Sequence, residues 1–379
     1  MKKIISAAVI AVTMLLSGTV CNAQAYEGID TSEMFESMEI DDDKVYSAVP
    51  EEAEKILEEN GVTLEDPGEF TEITFGEVIK YIFGKFTDRL KYPMKTLWLI
   101  TAAAVLSAAV STFSETSGGN IKRVYETVSV MVTSAAIAVP ASECLDTAAS
   151  AIRAGGAFML TYVPIYAGIA ASSGSVTSAA MYNMTVIGAA EGAVALSSGV
   201  MLPLMSSCMA IGIADGINSK FSLGSLTALI NKICSFVLVT VMTVFTGMLS
   251  MQSTVGTAAD SIGAKTAKLA VSNFVPVVGG ALSDTYGAVK AGLGLLKSAA
   301  GIYGIAAAAL TLLPPVIEAA SLYLALNIGA SISDILGQGQ MVKLLKNTAS
   351  VIGMIMGILL CFGAMLIIST GILMVQKAE

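Results

Sequence analysis

The sequence predicts an all-α polytopic membrane protein, and three observations predict it. Of its 379 residues, 54% are hydrophobic and only 13% charged, where a soluble domain carries about 25% charged residues. The mean hydropathy is +0.74. The apolar residues gather in long stretches that contain no charge, and these are separated by short charged ones. The net charge of −9 is also unevenly spread. Residues 1–25 carry +2, residues 26–92 carry 19 acids against 6 bases, and residues 93–379 carry 13 bases against 11 acids. The acidity therefore belongs to one short region that precedes a nearly neutral body.

Residues 1–25 read as a signal peptide. Lys2 and Lys3 precede an apolar run from Ile4 to Leu16, and Ala23-Gln24-Ala25 supplies a cleavage site of small residues. An uncleaved first span is the alternative. Either way, residue 26 onward begins outside the cytoplasm. Residues 26–92 form an acidic extracytoplasmic region, with Asp41-Asp42-Asp43 and the run from Glu51 to Glu59 as its densest parts. Pro50, the acids after it and Gly61 predict one helix between them. From Phe75 to Leu90, Val78, Ile79, Ile82, Phe83, Phe86 and Leu90 share one stripe, and Lys80, Lys85 and Arg89 fill the other side. That pattern predicts an amphipathic helix on the membrane surface. The region reads equally as a docking surface for a basic partner and as a solvated spacer.

The polytopic body occupies 93–379. Its charge-free runs are Thr96–Ser114, Thr127–Ser142, Ala154–Ala190, Gly192–Ala214, Ile233–Ala259, Ser298–Ile317 and Asn347–Gln376. They predict about seven spans, near 94–113, 124–142, 155–172, 188–214, 233–251, 300–327 and 349–375. With the N-terminal region outside, seven crossings put the C-terminus in the cytoplasm. Lys122, Arg123, Lys265, Lys268, Lys290 and Lys297 then agree with the positive-inside rule, whereas Lys343, Lys346 and the cluster from Lys80 to Lys95 do not. The spans are rich in Ala, Gly and Ser, which suits close helix packing within lipid. Between the fifth and sixth spans, 252–298 reads as an amphipathic segment, either re-entrant or lying on the membrane surface.

A weak inverted repeat is one reading of the body. Tyr162-Val163-Pro164 with Gly168 matches Phe274-Val275-Pro276 with Gly280 at an offset of 112, and Gly192 and Pro203 fall on Gly304 and Pro315. Repeats of this kind build transporter folds. Shared composition is the other reading.

Chemistry-bearing residues are few. There is no histidine, which removes the usual general base, pH switch and metal ligand together. Cys144, Cys208, Cys234 and Cys361 lack metal-binding spacing. No Walker pattern or protease constellation appears. Neither a catalytic residue nor a cofactor or metal is expected. Glu191 and Glu318 lie within apolar runs, where an ionisable group is costly and commonly functional, and Arg153 sits at a span's edge. Glu191 and Glu318 read either as proton or cation carriers on a polar track, or as residues that pair with Arg153 or a span-end lysine or snorkel to the interface. Glu318 follows Pro314-Pro315, which should disrupt the helical hydrogen bonding just before it.

At NFVPVVGGALSDTYGAVKAGLGLLKSAAGIYG, residues 273–304, the chain resembles the stage III sporulation protein AE family of endospore-forming bacteria. Asn273, Pro276, Gly279, Gly280, Ser283 and Asp284 carry the likeness. The resemblance implies a role in sporulation, in the mother-cell membrane around the forespore. Implied partners are other membrane proteins of the stage III sporulation operon and one in the forespore membrane, together forming a secretion-like channel complex. The expected function is that of a non-enzymatic component of this assembly. The alternative is an inverted-repeat secondary transporter coupled through Glu191 or Glu318. No nucleic-acid partner is expected.

Overall fold

The computed structural model describes residues 91–114, 119–217, 223–274 and 279–375. The signal peptide, the acidic region and its amphipathic helix lie outside the described residues, as does Pro276. The side chains of Asn273, Ser283 and Asp284 lie outside them too.

Every element among the described residues is helical: α1 Lys91–Ser114, α2 Gly119–Ser172, α3 Val176–Leu196, α4 Leu202–Ile217, α5 Gly224–Phe274, α6 Gly279–Ile335 and α7 Gly339–Val375. A π-helical turn, Ser197–Met201, joins α3 to α4 without a break. Its cause lies just downstream. Pro203 has no N–H to offer the ladder, and the Leu202 N–H reaches back five residues to the Ser197 carbonyl. Counting α3 and α4 as one, six helices among the described residues are long and apolar enough to cross a membrane. The chain is a multi-pass membrane protein.

The expected spans 124–142 and 155–172 fall together on α2, a single helix of 54 residues. The charges between them, Glu143, Asp146 and Arg153, alter solvation and leave the backbone dihedrals free to stay helical. Prolines inside helices are accommodated as well. Pro140 and Pro164 lie within α2, and Pro314 and Pro315 within α6. The disruption expected before Glu318 is therefore confined to lost hydrogen bonds in a helix that continues. Residues 252–274 form the last part of α5, and 279–298 the first part of α6.

α7 is the centre of the bundle. It packs along α6 and also touches α2, α4 and α5, and most of its residues are buried. α5 is peripheral, with few of its residues buried. Its outward face holds Phe236, Met248, Met251, Leu229 and Ile233, the bulky apolar surface that lipid favours. Two turns close helical hairpins by the same device. At α2–α3, Gly174 has φ 93°; its N–H bonds to the Ala171 carbonyl and that of Ser175 to the Ala170 carbonyl. At α6–α7, Gly337 has φ 72°; its N–H bonds to the Asp334 carbonyl and that of Gln338 to the Ser333 carbonyl. Both are Schellman caps, which need a residue in the left-handed region and so select glycine.

In the two repeat pairs with both members described, the surroundings are unlike. Gly192 is exposed with open space before it, whereas Gly304 presses on Tyr162. Pro203 is exposed after the π turn, whereas Pro315 is buried within α6.

Candidate functional site

The polar centre of the bundle is built where α3 begins. Ser175 occupies the usual capping position there and makes no side-chain capping bond. Its place is taken by Asp260 of α5, whose carboxylate accepts the Thr177 N–H at 2.7 Å and the Ser178 N–H at 3.0 Å. A carboxylate at a helix N-terminus satisfies orphan amides and complements the helix dipole. The approach depends on Gly256, one turn earlier on α5: a Cβ there would stand 2.6 Å from Ser178 Oγ and 2.9 Å from its Cα. Lys297 of α6 lies within electrostatic reach of Asp260, and both are buried, at 3% and 6% exposure. Three helices thus meet around one acid and one amine.

A column of aromatic rings adjoins this junction. Phe158, Tyr162 and Tyr166 recur every fourth residue on α2, a spacing that places them on one face. Their rings stack at 5.1 and 5.3 Å between centroids, and Tyr182 of α3 meets Tyr166 edge-on at 5.9 Å. The Tyr162 hydroxyl donates to the Ala300 carbonyl of α6 at 2.8 Å. Gly301 and Gly304 of α6 make room for Tyr166 and Tyr162. Lys297, Gly301 and Gly304 lie at positions i, i+4 and i+7, so one face of α6 carries the amine and receives the tyrosines.

A second polar junction caps α5. Asp215 of α4 accepts the Leu223 N–H at 2.5 Å and, at 3.4 Å, the Asn347 side-chain amide of α7. Asn231 of α5 donates to Ser350 of α7 at 2.9 Å. α1 is tied in separately, through Ser107 donating to Gln338 at 2.7 Å. Among the described residues, no group of three or more Cys, Asp and Glu gathers as a metal site would.

Glu191, Glu318 and Arg153 stand on three different helices. Glu191 is exposed on α3 and Arg153 exposed on α2. Neither hydrogen-bonds or ion-pairs with another described residue. Glu318 is half-buried on α6, within electrostatic reach of Cys144. Among the described residues, the two buried acids are Asp260 and Asp215, which sequence reading missed. Their signal was weak, because each closes a charge-free run and looks like an ordinary span boundary. What identifies them is the helix start that each one meets.

The family model described as stage III sporulation protein AE matches residues 63–376. Among curated proteins, the chain is similar to stage III sporulation protein AE of Bacillus subtilis (strain 168), 27% identical over 201 residues. That match covers 53% of this chain and 50% of the relative, so the chain aligns with about half the length of the curated protein. No solved structure matches. With 63–376 matched and a wholly helical membrane body described, the chain belongs to the stage III sporulation protein AE family.

Proposed function

We propose that the protein is a non-enzymatic membrane component of a sporulation-specific complex that joins mother cell and forespore in the manner of a secretion channel. The observation that carries this reading is the family match across 63–376, together with a body of six membrane-capable helices. The protein sits in the mother-cell membrane around the forespore, with residues 26–92 extracytoplasmic. The side of the C-terminus follows from the number of crossings: seven place it in the cytoplasm, and six place it with the N-terminal region. Its partners are other membrane proteins of the stage III sporulation operon and one in the forespore membrane.

Affinity capture of the tagged full chain from sporulating cells tests this reading. The expected result is co-purification of the operon's membrane proteins, and loss of that capture when residues 26–72 are deleted, with insertion retained. Capture of none of them by an inserted, stable chain would refute it. The coupled-transporter alternative requires Glu191 or Glu318 to carry the coupling. Full sporulation by both Glu191→Gln and Glu318→Gln variants would sink that alternative.

A further inference from the structure

The junction that caps α5 holds more acceptor capacity than its hydrogen bonds use. Asp215, Thr227 and Asn231 are buried there, at 8%, 2% and 9% exposure, with Asn347 and Ser350 half-buried beside them. Gly224, Thr227 and Asn231 are spaced i, i+3 and i+7 on α5 and share one face. Asn347 and Ser350, three apart, share a face of α7. The two faces meet at both ends of this stretch. A Cβ at Gly224 would stand 3.4 Å from Asp215 Oδ2 and 3.6 Å from Asn347 Oδ1. Two turns further along α5, Asn231 donates to Ser350. Thr227 lies between these two contacts.

Thr227 Oγ1 and Asn231 Oδ1 are fully enclosed and have no hydrogen-bond partner among the described residues. An amide oxygen can only accept, and an ionised carboxylate offers about four acceptor sites. Asp215 uses one of them for the Leu223 N–H and one, at 3.4 Å, for the Asn347 amide. The capacity left over is therefore acceptor capacity, gathered around a buried charge on membrane-capable helices. A water molecule would supply donors and leave the charge in place, whereas a cation satisfies the oxygens and neutralises the carboxylate. One carboxylate among neutral amide and hydroxyl oxygens matches a single positive charge, since divalent ions draw on several acids. The carboxylate also makes the field strong, which favours the smaller Na+ over K+.

We propose that Asp215, Thr227, Asn231, Asn347 and Ser350 form a binding site for one sodium ion, shared by α4, α5 and α7. The ion neutralises Asp215 and ties the start of α5 to α7. The site uses neither Glu191 nor Glu318, and it stands whether or not the chain joins a sporulation complex.

Thermal unfolding of the purified full chain in NaCl, KCl or choline chloride at equal ionic strength tests it. The midpoint is expected to rise with Na+ in a saturable way, by about 2–4 °C, and to stay lower in the other two salts. Equilibrium dialysis with radioactive sodium should give one ion per chain. Asp215→Asn keeps the shape of the side chain and removes its charge, and Thr227→Val removes one hydroxyl. Each should weaken Na+ binding by about tenfold or more. Should Asp215→Asn not fold, Thr227→Val carries the test. Thr243→Val is the control and should bind Na+ as the native chain does, because that hydroxyl is exposed on α5 and bonds the Val239 carbonyl of its own helix. One midpoint in all three salts would overturn the proposal, as would Na+ binding undiminished by Asp215→Asn and Thr227→Val. Lys220, which lies outside the described residues, supplies the remaining arm. If the native chain binds no Na+ and Lys220→Gln lowers the midpoint as far as Asp215→Asn does, an amine of the chain itself fills the site and the proposal fails.

Discussion

Gly304→Ala is a small substitution for which the structure sets a large consequence. A Cβ at that position would stand 2.7 Å from Cε1 of Tyr162, and closer still to Cζ and the hydroxyl. Ordinary contact begins at 3.4 Å, so even the farthest of these atoms must retreat by 0.7 Å, the difference between 3.4 and 2.7. The ring has no free direction of retreat, because Phe158 and Tyr166 stack on it and it is 2% exposed. Movement breaks the hydroxyl's bond to the Ala300 carbonyl, which contributes about 0.6 kcal/mol in a membrane interior. It also disturbs two aromatic contacts of roughly 0.5–1.5 kcal/mol each. Overpacking adds about 1–3 kcal/mol, while alanine returns up to ~1 kcal/mol of helix propensity. The net loss expected is about 2–6 kcal/mol. The assay is detergent or thermal unfolding of the purified chain, followed by the near-ultraviolet dichroism of its tyrosines. Gly188→Ala is the matched control, since nothing lies within 4 Å of that Cβ, and it should stabilise the chain by up to ~1 kcal/mol through helix propensity alone. If the two variants unfold alike, the packing of Tyr162 against Gly304 is not what holds α2 to α6.

Asp260→Ala should cost roughly 3–5 kcal/mol, because it strips two amides of their acceptor and takes away the carboxylate beside a buried Lys297. Adding Lys297→Met should recover part of that loss in the same unfolding assay. Asp215→Ala should cost about 1–2 kcal/mol through the lost cap on α5, read as earlier hydrogen exchange of the amides around Leu223 and Gly224. Gly337→Ala, at φ 72°, should cost about 1 kcal/mol. That loss should appear as a lowered unfolding midpoint.

The charge-free runs fall on the membrane-capable helices, because excluding charge is what the bilayer demands of a sequence. They marked the number of helices less well. Glu143, Asp146 and Arg153 interrupt the hydrophobic run on α2, yet nothing in those side chains breaks a helix, so two expected spans share one. Pro314-Pro315 lie inside the expected span 300–327, and α6 runs through them, since proline removes a hydrogen bond that a long helix with packed neighbours can forgo. The small residues were readable as close packing, and Gly156 against Val194 or Gly155 against Phe362 shows it. Asp260 was not readable as a cap for α3. Its partners lie 83 and 82 residues away, and the local residue that should have capped, Ser175, gives no sign in sequence that it declines the role.

The Gly174 turn has a consequence for how the chain enters the membrane. From Ala154 to Ala190 there are 37 residues without a charge, and the turn lies within them. A Schellman cap binds the turn's amides to carbonyls already in α2, so the tip presents few bare backbone groups to hydrocarbon. The second half of α2 and the first half of α3 can therefore be delivered as one closed hairpin, with no charged loop to carry across. The Gly337 turn lacks that freedom, because Asp334, Lys343 and Lys346 flank it on exposed positions and hold it to the side on which it is made.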